Sequence, residues 1–196
     1  MTTALVLGAA GGIGNALCHL LTAQGHEVIQ YRRAELDLSN SDAEWQLSML
    51  LSKEQPDLIF NCAGMLGNNY SSHDEIFKIN VGSNWGIIQH YLNNQQDHQI
   101  RIVMLGSTAY HSGKAGYMLY AASKAALHNL WQGAALALPS NIVIGLLHPG
   151  PTCTKMIAHM MDPNKTYHEA DDVAIAMLAL CNDMTVSTVH EMEYPE

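Results

Sequence analysis

The sequence has few charged residues, few cysteines and no long apolar run, and each scarcity excludes a class of protein. Charged residues make up 14% of the 196 residues against 48% for apolar ones, which excludes a disordered or fibrous chain. Cys18, Cys62, Cys153 and Cys181 are far apart, so neither a disulfide framework nor a zinc site is expected, and the thiols are predicted to be reduced. No apolar run reaches the ~18 residues of a membrane-spanning helix.

Basic residues are also scarce. Nine lysines and arginines face 18 acidic residues, giving a net charge of −9, so neither nucleic acid nor a membrane surface is expected as a partner. The first residues show no basic segment or cleavage site of a secretory leader, and a cytoplasmic location is expected. The length suits one substantial core and is too short for a second, so residues 1–196 are expected to form a single domain.

The sequence does contain a regular alternation of strand and helix patterns. Strands are predicted at residues 3–7, 27–31, 58–60, 100–105, 141–147 and, from a weaker pattern, 186–189. Helices are predicted at residues 15–23, 42–52, 73–94, 121–138 and 170–181. This alternation predicts an α/β fold: a doubly wound parallel sheet of the Rossmann type with helices on both faces.

A glycine-rich turn follows the first predicted strand. Gly8, Gly12 and Gly14 stand between that strand and the first predicted helix. Glycines permit a tight turn and let the backbone approach a pyrophosphate, which then sits at the positive end of the helix. The pattern therefore predicts dinucleotide binding, and the alternative is a turn that only connects two elements.

The second predicted strand ends at Tyr31 and is followed by Arg32 and Arg33. A dinucleotide-binding fold commonly has an acidic residue at this place, which binds the adenosine ribose hydroxyls. Here no carboxylate would repel a 2′-phosphate, and a guanidinium suits phosphate oxygens. The sequence thus favours NADP over NAD, and the alternative is a pair of solvated arginines in a loop.

Tyr120 and Lys124 stand at the start of the Ala-rich helix pattern. Residues four apart share one face of a helix, so the phenol and the ammonium are predicted to project into one small volume. A nearby cation favours the phenolate and brings a phenol of pKa ~10 closer to a working range. The pair is a candidate for proton transfer, and the alternative is a surface helix with a solvated lysine.

Taken together, these segments resemble the short-chain dehydrogenase/reductase family from Leu5 to about Leu180. The resemblance lies in the motifs Gly8-x-x-x-Gly12-x-Gly14, Asn61-x-Ala63-Gly64, Asn80, Ser107, Tyr120-x-x-x-Lys124, and Pro149-Gly150 followed by Thr154. It implies an NADP(H)-dependent oxidoreductase, with NAD(H) as the alternative cofactor, that interconverts a small-molecule carbonyl and an alcohol.

The resemblance also implies roles for single residues. Tyr120 would be the general acid or base, and Lys124 would hold the nicotinamide ribose and keep the pKa of the phenol low. Ser107 would donate a hydrogen bond to the developing alkoxide, and Asn80 would bend its helix and hold a water. The implied cofactor-binding residues are Gly8, Gly12, Ile13, Gly14, Arg32, Asp37, Leu38, Asn61, Ala63, Gly64, Tyr120, Lys124, Pro149, Gly150, Thr152 and Thr154.

Among these, Asp37 and Leu38 would frame the adenine, with Asn61 in the wall behind it. No metal site is expected, because the eleven histidines show no His-x-x-x-His spacing. His111 is a weaker candidate for the substrate pocket. Three methionines either line that pocket or pack a short helix, namely Met156, Met160 and Met161.

Two segments are shorter than the family pattern. Between Arg32 and Asp37 there is no room for a helix, so a tight loop is expected. The segment between Thr154 and Glu169 that would cover the substrate is also brief, which predicts an open, tolerant site. An NADP(H)-sensing or signalling protein is therefore an alternative function, and a sugar-nucleotide epimerase or dehydratase is a third that the length disfavours. A homodimer or homotetramer is expected.

Overall fold

The computed structural model describes residues 2–193, and its centre is a six-stranded sheet whose paired strands all run parallel. The strands are β1 (Thr3–Leu7), β2 (Glu27–Tyr31), β3 (Leu58–Asn61), β4 (Ile100–Leu105), β5 (Ile142–His148) and β6 (Thr188–Glu191). They lie in the order β2-β1-β3-β4-β5-β6. Every strand predicted from the sequence is present, and the last begins two residues later than predicted.

Helices cover both faces of this sheet, as predicted. In the described part of the chain the α-helices are α1 (Gly12–Ala23), α2 (Ala43–Glu54), α3 (His73–Phe77), α4 (Ser83–Asn93), α5 (Met118–Ala137) and α6 (Ala170–Asp183). One face packs against α1 and α6, and the other packs against α2, α4 and α5. Two short 3-10 helices lie at Thr108–His111 and Ala158–Met160.

The alternation of side chains along β1 shows how the two layers are built. Leu5 and Leu7 point into the layer with α2, α4 and α5, whereas Ala4 and Val6 point into the layer with α1 and α6. All four side chains are at most 1% exposed. A strand buried on both faces needs apolar residues at every position, which explains the continuous apolar runs in the sequence.

The order in which the chain adds strands to the sheet reverses beside β1. The chain runs outward from β1 to the edge strand β2, then crosses back to β3 on the other side of β1. Residues 32–42 connect β2 to α2 without a helix, as the short spacing predicts. Because ligands of open α/β sheets bind at the carboxyl ends of the strands where the order reverses, this crevice is the expected position of a site.

The helix predicted for residues 73–94 is interrupted in its middle. A π-helical turn at Lys78–Gly82 separates α3 from α4, and Asn80 lies at its centre. Such turns widen a helix locally and are frequent at functional sites. This irregularity lies where the resemblance implies that Asn80 bends its helix.

All four cysteines are free, and Cys18 and Cys181 are buried. Burial raises the pKa of the Cys18 thiol to about 11 and that of Cys181 to about 12, so both are protonated at neutral pH. Within residues 2–193, no helix is both long and apolar enough to cross a bilayer.

Candidate active site

A cavity of about 1240 Å³ opens at the carboxyl edge of the sheet. Its walls are the glycine turn after β1, the loop after β2, the ends of β3, β4 and β5, the start of α5, and residues 154–167, here called the lid. The predicted site residues that line it are Gly8, Gly12, Ile13, Gly14, Arg32, Asp37, Leu38, Ala63, Gly64, Ser107, Tyr120, Lys124, Pro149, Gly150, Thr152 and Thr154. Asn61 and Asn80 are buried behind this surface.

The glycine turn leaves no room for side chains. Gly8 has φ +73°, and a Cβ there would lie 2.7 Å from the Ala63 nitrogen. A Cβ on Gly12 would lie 2.9 Å from Thr154 Cγ2, and one on Gly14 would collide with the Gly8 carbonyl oxygen. The bare backbone and the N-terminus of α1 thus form one wall of the cavity, a cradle that fits the pyrophosphate of a dinucleotide.

The loop after β2 places two arginines at the cavity, and they differ in whether their guanidinium groups form ion pairs. Arg33 pairs with Asp37 (3.1 Å) and with Glu75 (3.3 Å). Asp37 also accepts hydrogen bonds from the hydroxyl (2.6 Å) and backbone nitrogen (3.0 Å) of Ser39, and these contacts, with the Arg33 guanidinium, lower its pKa to about 2. The Arg32 side chain forms no hydrogen bond or ion pair with residues 2–193, so its guanidinium is available to a ligand.

The reactive side chains meet at the start of α5. Tyr120 and Lys124 lie one helical turn apart on the same face, and both line the cavity. The Lys124 Nζ lies 5.6 Å from the centroid of the Tyr120 ring and donates a hydrogen bond to the Leu105 carbonyl at 2.7 Å. The Ser107 side chain lies close enough to the Tyr120 phenol to lower its pKa. Three of the four predicted catalytic residues therefore converge on one volume.

The charge state of this group differs from the expectation. Burial raises the pKa of the Tyr120 phenol, and the nearby Ser107 side chain offsets this only in part. Burial also lowers the pKa of Lys124 to about 8. The prediction that Lys124 keeps the pKa of the phenol low is wrong for this structure, because the ammonium points to the Leu105 carbonyl and desolvation outweighs any effect on the phenol.

Asn80 ties two segments of the site together. Its Nδ2 donates hydrogen bonds to the Met65 carbonyl and to Ser123 Oγ, both at 2.9 Å, and its Oδ1 accepts one from the Met65 nitrogen at 2.8 Å. Its own carbonyl accepts a hydrogen bond from Asn84 Nδ2 at 3.1 Å. Asn80 thus fixes the loop after β3 to the residue that precedes Lys124.

Asn61 does not form part of the cavity surface, contrary to the prediction that it lies in the wall beside the adenine. Its Nδ2 donates hydrogen bonds to Ser83 Oγ (2.8 Å) and Asn84 Oδ1 (2.9 Å), while its Oδ1 accepts one from the Ala63 nitrogen at 3.1 Å. The side chain therefore holds the backbone of Ala63 from behind, and Ala63 itself lines the cavity.

A histidine that the sequence did not reveal lies directly behind Ser107. The fully buried His148 has its Nδ1 3.1 Å from both the nitrogen and the carbonyl oxygen of Ser107, and its Nε2 lies 3.0 Å from His128 Nδ1. The Tyr110 ring stacks on His148 (4.0 Å between centroids) and on His128 (4.6 Å). The backbone of Gly106 packs so closely against the His148 ring that any side chain there would collide with it.

The spacing of residues along α5 could have placed His128 in this cluster. His128 follows Lys124 by four residues and Tyr120 by eight, so all three share one face of α5. Burial, as the largest effect, lowers the pKa of His148 from 6.5 to about 4, so the ring is neutral at physiological pH. A neutral ring can accept the hydrogen bond from the Ser107 backbone nitrogen.

The lid contributes an apolar wall. Met156 and Met160 line the cavity, whereas Met161 does not. The Met156 Cε would lie 3.9 Å from a Cβ on Gly64, so this side chain reaches the opposite wall. His111 is not in the cavity; its Nε2 lies 2.7 Å from Glu191 Oε2 on the exposed side of the 3-10 helix.

Over residues 2–193 no three His, Cys, Asp or Glu side chains are grouped so as to hold a metal ion. One end of the cavity presents the Tyr120 phenol, the Ser107 hydroxyl and the Lys124 ammonium. The other end presents the backbone of the glycine turn, which fits a phosphate.

Comparison with known proteins agrees with this geometry. The model of the NAD dependent epimerase/dehydratase family matches residues 4–162. A 3-oxoacyl-(acyl-carrier-protein) reductase from Buchnera aphidicola is 24% identical over 218 residues, which cover 92% of this chain and 89% of the relative.

Solved structures superpose over nearly the whole chain. A blue fluorescent protein from a metagenomic library, in complex with NADPH, has a TM-score of 0.83 at 23% identity, with 98% of this chain and 96% of that chain covered. The 3-alpha-hydroxysteroid dehydrogenase from Pseudomonas sp. B-0831, complexed with NADH, has a TM-score of 0.81 at 21% identity, with 97% and 95% covered. The chain belongs to the short-chain dehydrogenase/reductase family, and its matching domain is of the NAD dependent epimerase/dehydratase type.

Proposed function

We propose that the protein is an NADP(H)-dependent oxidoreductase that interconverts a small-molecule carbonyl and the corresponding alcohol, with residues 1–196 as one catalytic domain. The observation that carries the proposal is the arrangement of one cavity: Tyr120, Ser107 and Lys124 line one end, and the side-chain-free glycine turn lines the other. Gly12, Ile13 and Gly14 would hold the pyrophosphate. When bound, the nicotinamide supplies or accepts the hydride.

Tyr120 acts as the general acid in the direction of reduction. Since burial raises the pKa of its phenol, the group carries its proton at neutral pH and can deliver it to a carbonyl oxygen that becomes an alkoxide. Ser107 lines the cavity beside it, close enough to lower the pKa of the phenol, and would donate a hydrogen bond to the same oxygen. The Ser107 hydroxyl also accepts a hydrogen bond from the Ala109 nitrogen at 3.2 Å, which limits its rotation.

Lys124 and Asn80 keep this arrangement in place and, in our proposal, complete it. Lys124 is 2% exposed, and its ammonium donates one hydrogen bond to the Leu105 carbonyl. Its other two N–H groups can donate to the ribose hydroxyls of a bound nucleotide. Asn80 holds Ser123, the neighbour of Lys124, by its hydrogen bond at 2.9 Å. Its proposed role is therefore to position the first turn of α5.

The preference for NADP(H) rests on Arg32. Asp37 is the acidic residue at this end, and its carboxylate already accepts hydrogen bonds from Ser39 and Arg33. It is therefore poorly placed to accept hydrogen bonds from the ribose hydroxyls of NAD. Titration of NADPH and NADH against the protein tests this preference. We expect NADPH to bind more tightly, and Arg32→Ala to weaken NADPH binding about tenfold while leaving NADH unchanged. Equal affinity for both cofactors in the parent protein would remove the preference.

The catalytic assignment is tested by Tyr120→Phe, with Tyr117→Phe as the matched control. Both tyrosines line the cavity and their rings lie 6.0 Å apart, but it is Tyr120 that lies one helical turn from Lys124 and whose pKa Ser107 lowers. We expect NADPH oxidation with a panel of aldehydes and ketones to fall about 10²- to 10⁴-fold in Tyr120→Phe, with NADPH affinity retained. If the two variants lose activity equally, Tyr120 is not the proton donor. NADPH binding without turnover of any compound would favour the sensing function instead.

We also propose that the protein assembles as a homodimer or homotetramer through helices on the face opposite α1 and α6. Large apolar side chains are exposed there, with Trp85 and Leu92 on α4 at 36% and 41% and Leu136 on α5 at 90%. Apolar side chains at this exposure are commonly covered by a second copy. Light scattering coupled to size exclusion measures the mass; a monomer at all concentrations would contradict this assembly.

A further inference from the structure

The cavity gathers most of the positive charge of an acidic protein. Six of the nine lysines and arginines line it, namely Arg32, Arg33, Lys114, Lys124, Lys155 and Lys165. Asp37 is the only acidic side chain among residues 2–193 that does so. Because the chain has a net charge of −9, the field in the cavity is opposite in sign to that of the protein as a whole, and a low-dielectric cleft of this kind concentrates anions.

A dinucleotide accounts for part of this charge. Arg32 and Arg33 lie at the end of β2, where the adenosine half is proposed to bind. Lys155 follows Thr154, whose Cγ2 would lie 2.9 Å from a Cβ on Gly12, so Lys155 stands beside the pyrophosphate cradle. Lys124 belongs to the catalytic group. The remaining two cations are Lys114 and Lys165, and the proposed cofactor supplies no anionic group for either of them.

Lys114 lies near the reactive end of the cavity. The Tyr117 nitrogen donates a hydrogen bond to the Lys114 carbonyl at 3.1 Å, and the Tyr117 ring lies 6.0 Å from the ring of Tyr120. The side chain of Lys114 is partly buried and forms no hydrogen bond or ion pair within the part of the chain that the structure describes. A lysine ammonium that has no partner in the described protein is available to a bound carboxylate or phosphate.

Lys165 lines the same cavity from the lid. The nearby carboxylate is Asp162, but Asp162 Oδ1 is already held by the nitrogen (3.0 Å) and the Nδ2 (3.1 Å) of Asn164. The Lys165 backbone nitrogen donates a hydrogen bond to the Asp162 carbonyl at 3.0 Å, and the Lys165 charge helps to lower the pKa of the Asp162 carboxylate. The ammonium forms no direct ion pair or hydrogen bond with residues 2–193.

The cavity is also lined by large apolar side chains. They include Leu66, Ile79, Met156, Ile157 and Met160. A cavity with an apolar body and charged groups at its margin fits a ligand with the same distribution, an apolar frame that ends in an anion. Methionine side chains adapt to frames of different shape.

We propose that the substrate is an anionic carbonyl compound whose carboxylate or phosphate is bound by Lys114 and Lys165 while its apolar frame packs on the lid. This inference rests on the proposed function, since it takes the Tyr120 end as the place where the carbonyl lies. It goes beyond that function by naming the charge of the substrate and the two residues that recognise it.

Three aldehydes of one frame test the inference: 4-formylbenzoate, 4-formylphenyl phosphate and the neutral methyl 4-formylbenzoate. Binding is measured by calorimetry on the protein saturated with NADP⁺, and kcat/KM is measured separately with NADPH. We expect at least one anion to bind about five- to tenfold more tightly than the ester, and the advantage to shrink as ionic strength rises. Lys114→Gln and Lys165→Gln should each weaken the preferred anion two- to fivefold without affecting the ester.

Lys78→Gln is the matched control, because Lys78 is an exposed lysine of the π-helical turn outside this cavity. An ester that binds as tightly as both anions would overturn the inference, and so would an anion preference that survives both cavity variants or falls equally in Lys78→Gln. Anion binding that depends on Lys114 and Lys165 but leads to no turnover supports the anion site at these two lysines and counts against the proposed reaction at the Tyr120 end. The two failures can thus be distinguished.

Discussion

His148 makes the folding stability of this protein depend on pH, and the variant His148→Asn isolates that dependence. An asparagine can place its Oδ1 near the position of the imidazole Nδ1 and so can still accept the hydrogen bond from the Ser107 nitrogen. It cannot take up a proton. The charged and titratable groups around the imidazole are His128, Glu191, Lys124 and the stacked Tyr110, and burial nevertheless dominates its pKa.

The magnitude follows from the pKa shift. Burial lowers the pKa of His148 from 6.5 to about 4, so between these values the unfolded chain binds more protons than the folded one. Stability contributed by this group is therefore fully present above pH 6.5 and is lost as the pH falls towards 4. At about 1.4 kcal/mol per pKa unit, acidification from pH 7.5 to 5 removes roughly 2 kcal/mol, and the full loss below pH 4 is about 3 kcal/mol.

Urea unfolding at pH 7.5 and pH 5 measures this loss. We expect the parent protein to lose roughly 2 kcal/mol more than His148→Asn between the two pH values. His19→Asn, at an exposed position on α1, serves as the control and should behave like the parent protein. If His148→Asn loses as much stability on acidification as the parent, the imidazole is not the group that resists protonation and the reasoning fails.

Three further substitutions have expected outcomes. Gly14→Ala would place a methyl group against the Gly8 carbonyl oxygen and should abolish NADPH binding in a fluorescence titration; unchanged affinity would contradict the cradle. Asn80→Ala removes three hydrogen bonds of a fully buried side chain and should lower the free energy of unfolding by about 2–4 kcal/mol in urea. Gly133→Ala, inside α5 with open space around it, should raise the thermal midpoint by stabilising the helix by about 0.5–1 kcal/mol, and a fall would refute that account.

The features that the sequence predicted well are those that local spacing determines. Tyr120 and Lys124 share a helix face because they are four residues apart, and the glycine turn stands where an apolar strand meets a helix. The alternation of apolar runs with helix patterns predicted the parallel sheet, because strands buried on both faces have apolar residues at every position. The strand and helix bounds mostly differ from the prediction by only a few residues.

The features that it missed depend on contacts between distant residues. The amide of Asn61 could have faced either the cavity or α4, and only the packing of Ser83 against β3 decides between them. His148 is separated from Ser107 by 41 residues, so nothing local indicated their contact. The pKa of Tyr120 was predicted in the wrong direction because the spacing with Lys124 reports proximity but not the burial that both side chains share.

The central claim is that the cavity brings a carbonyl carbon to the nicotinamide while Tyr120 supplies the proton. The most direct measurement uses NADPH that carries deuterium at both positions of the reactive nicotinamide carbon, with 4-formylbenzoate or a neutral aldehyde as acceptor and mass spectrometry of the alcohol. The account predicts one deuterium on the carbinol carbon, formed by the parent protein and at least about a hundredfold more slowly by Tyr120→Phe. An alcohol without the label, or labelled product formed at the same rate by both proteins, would contradict it.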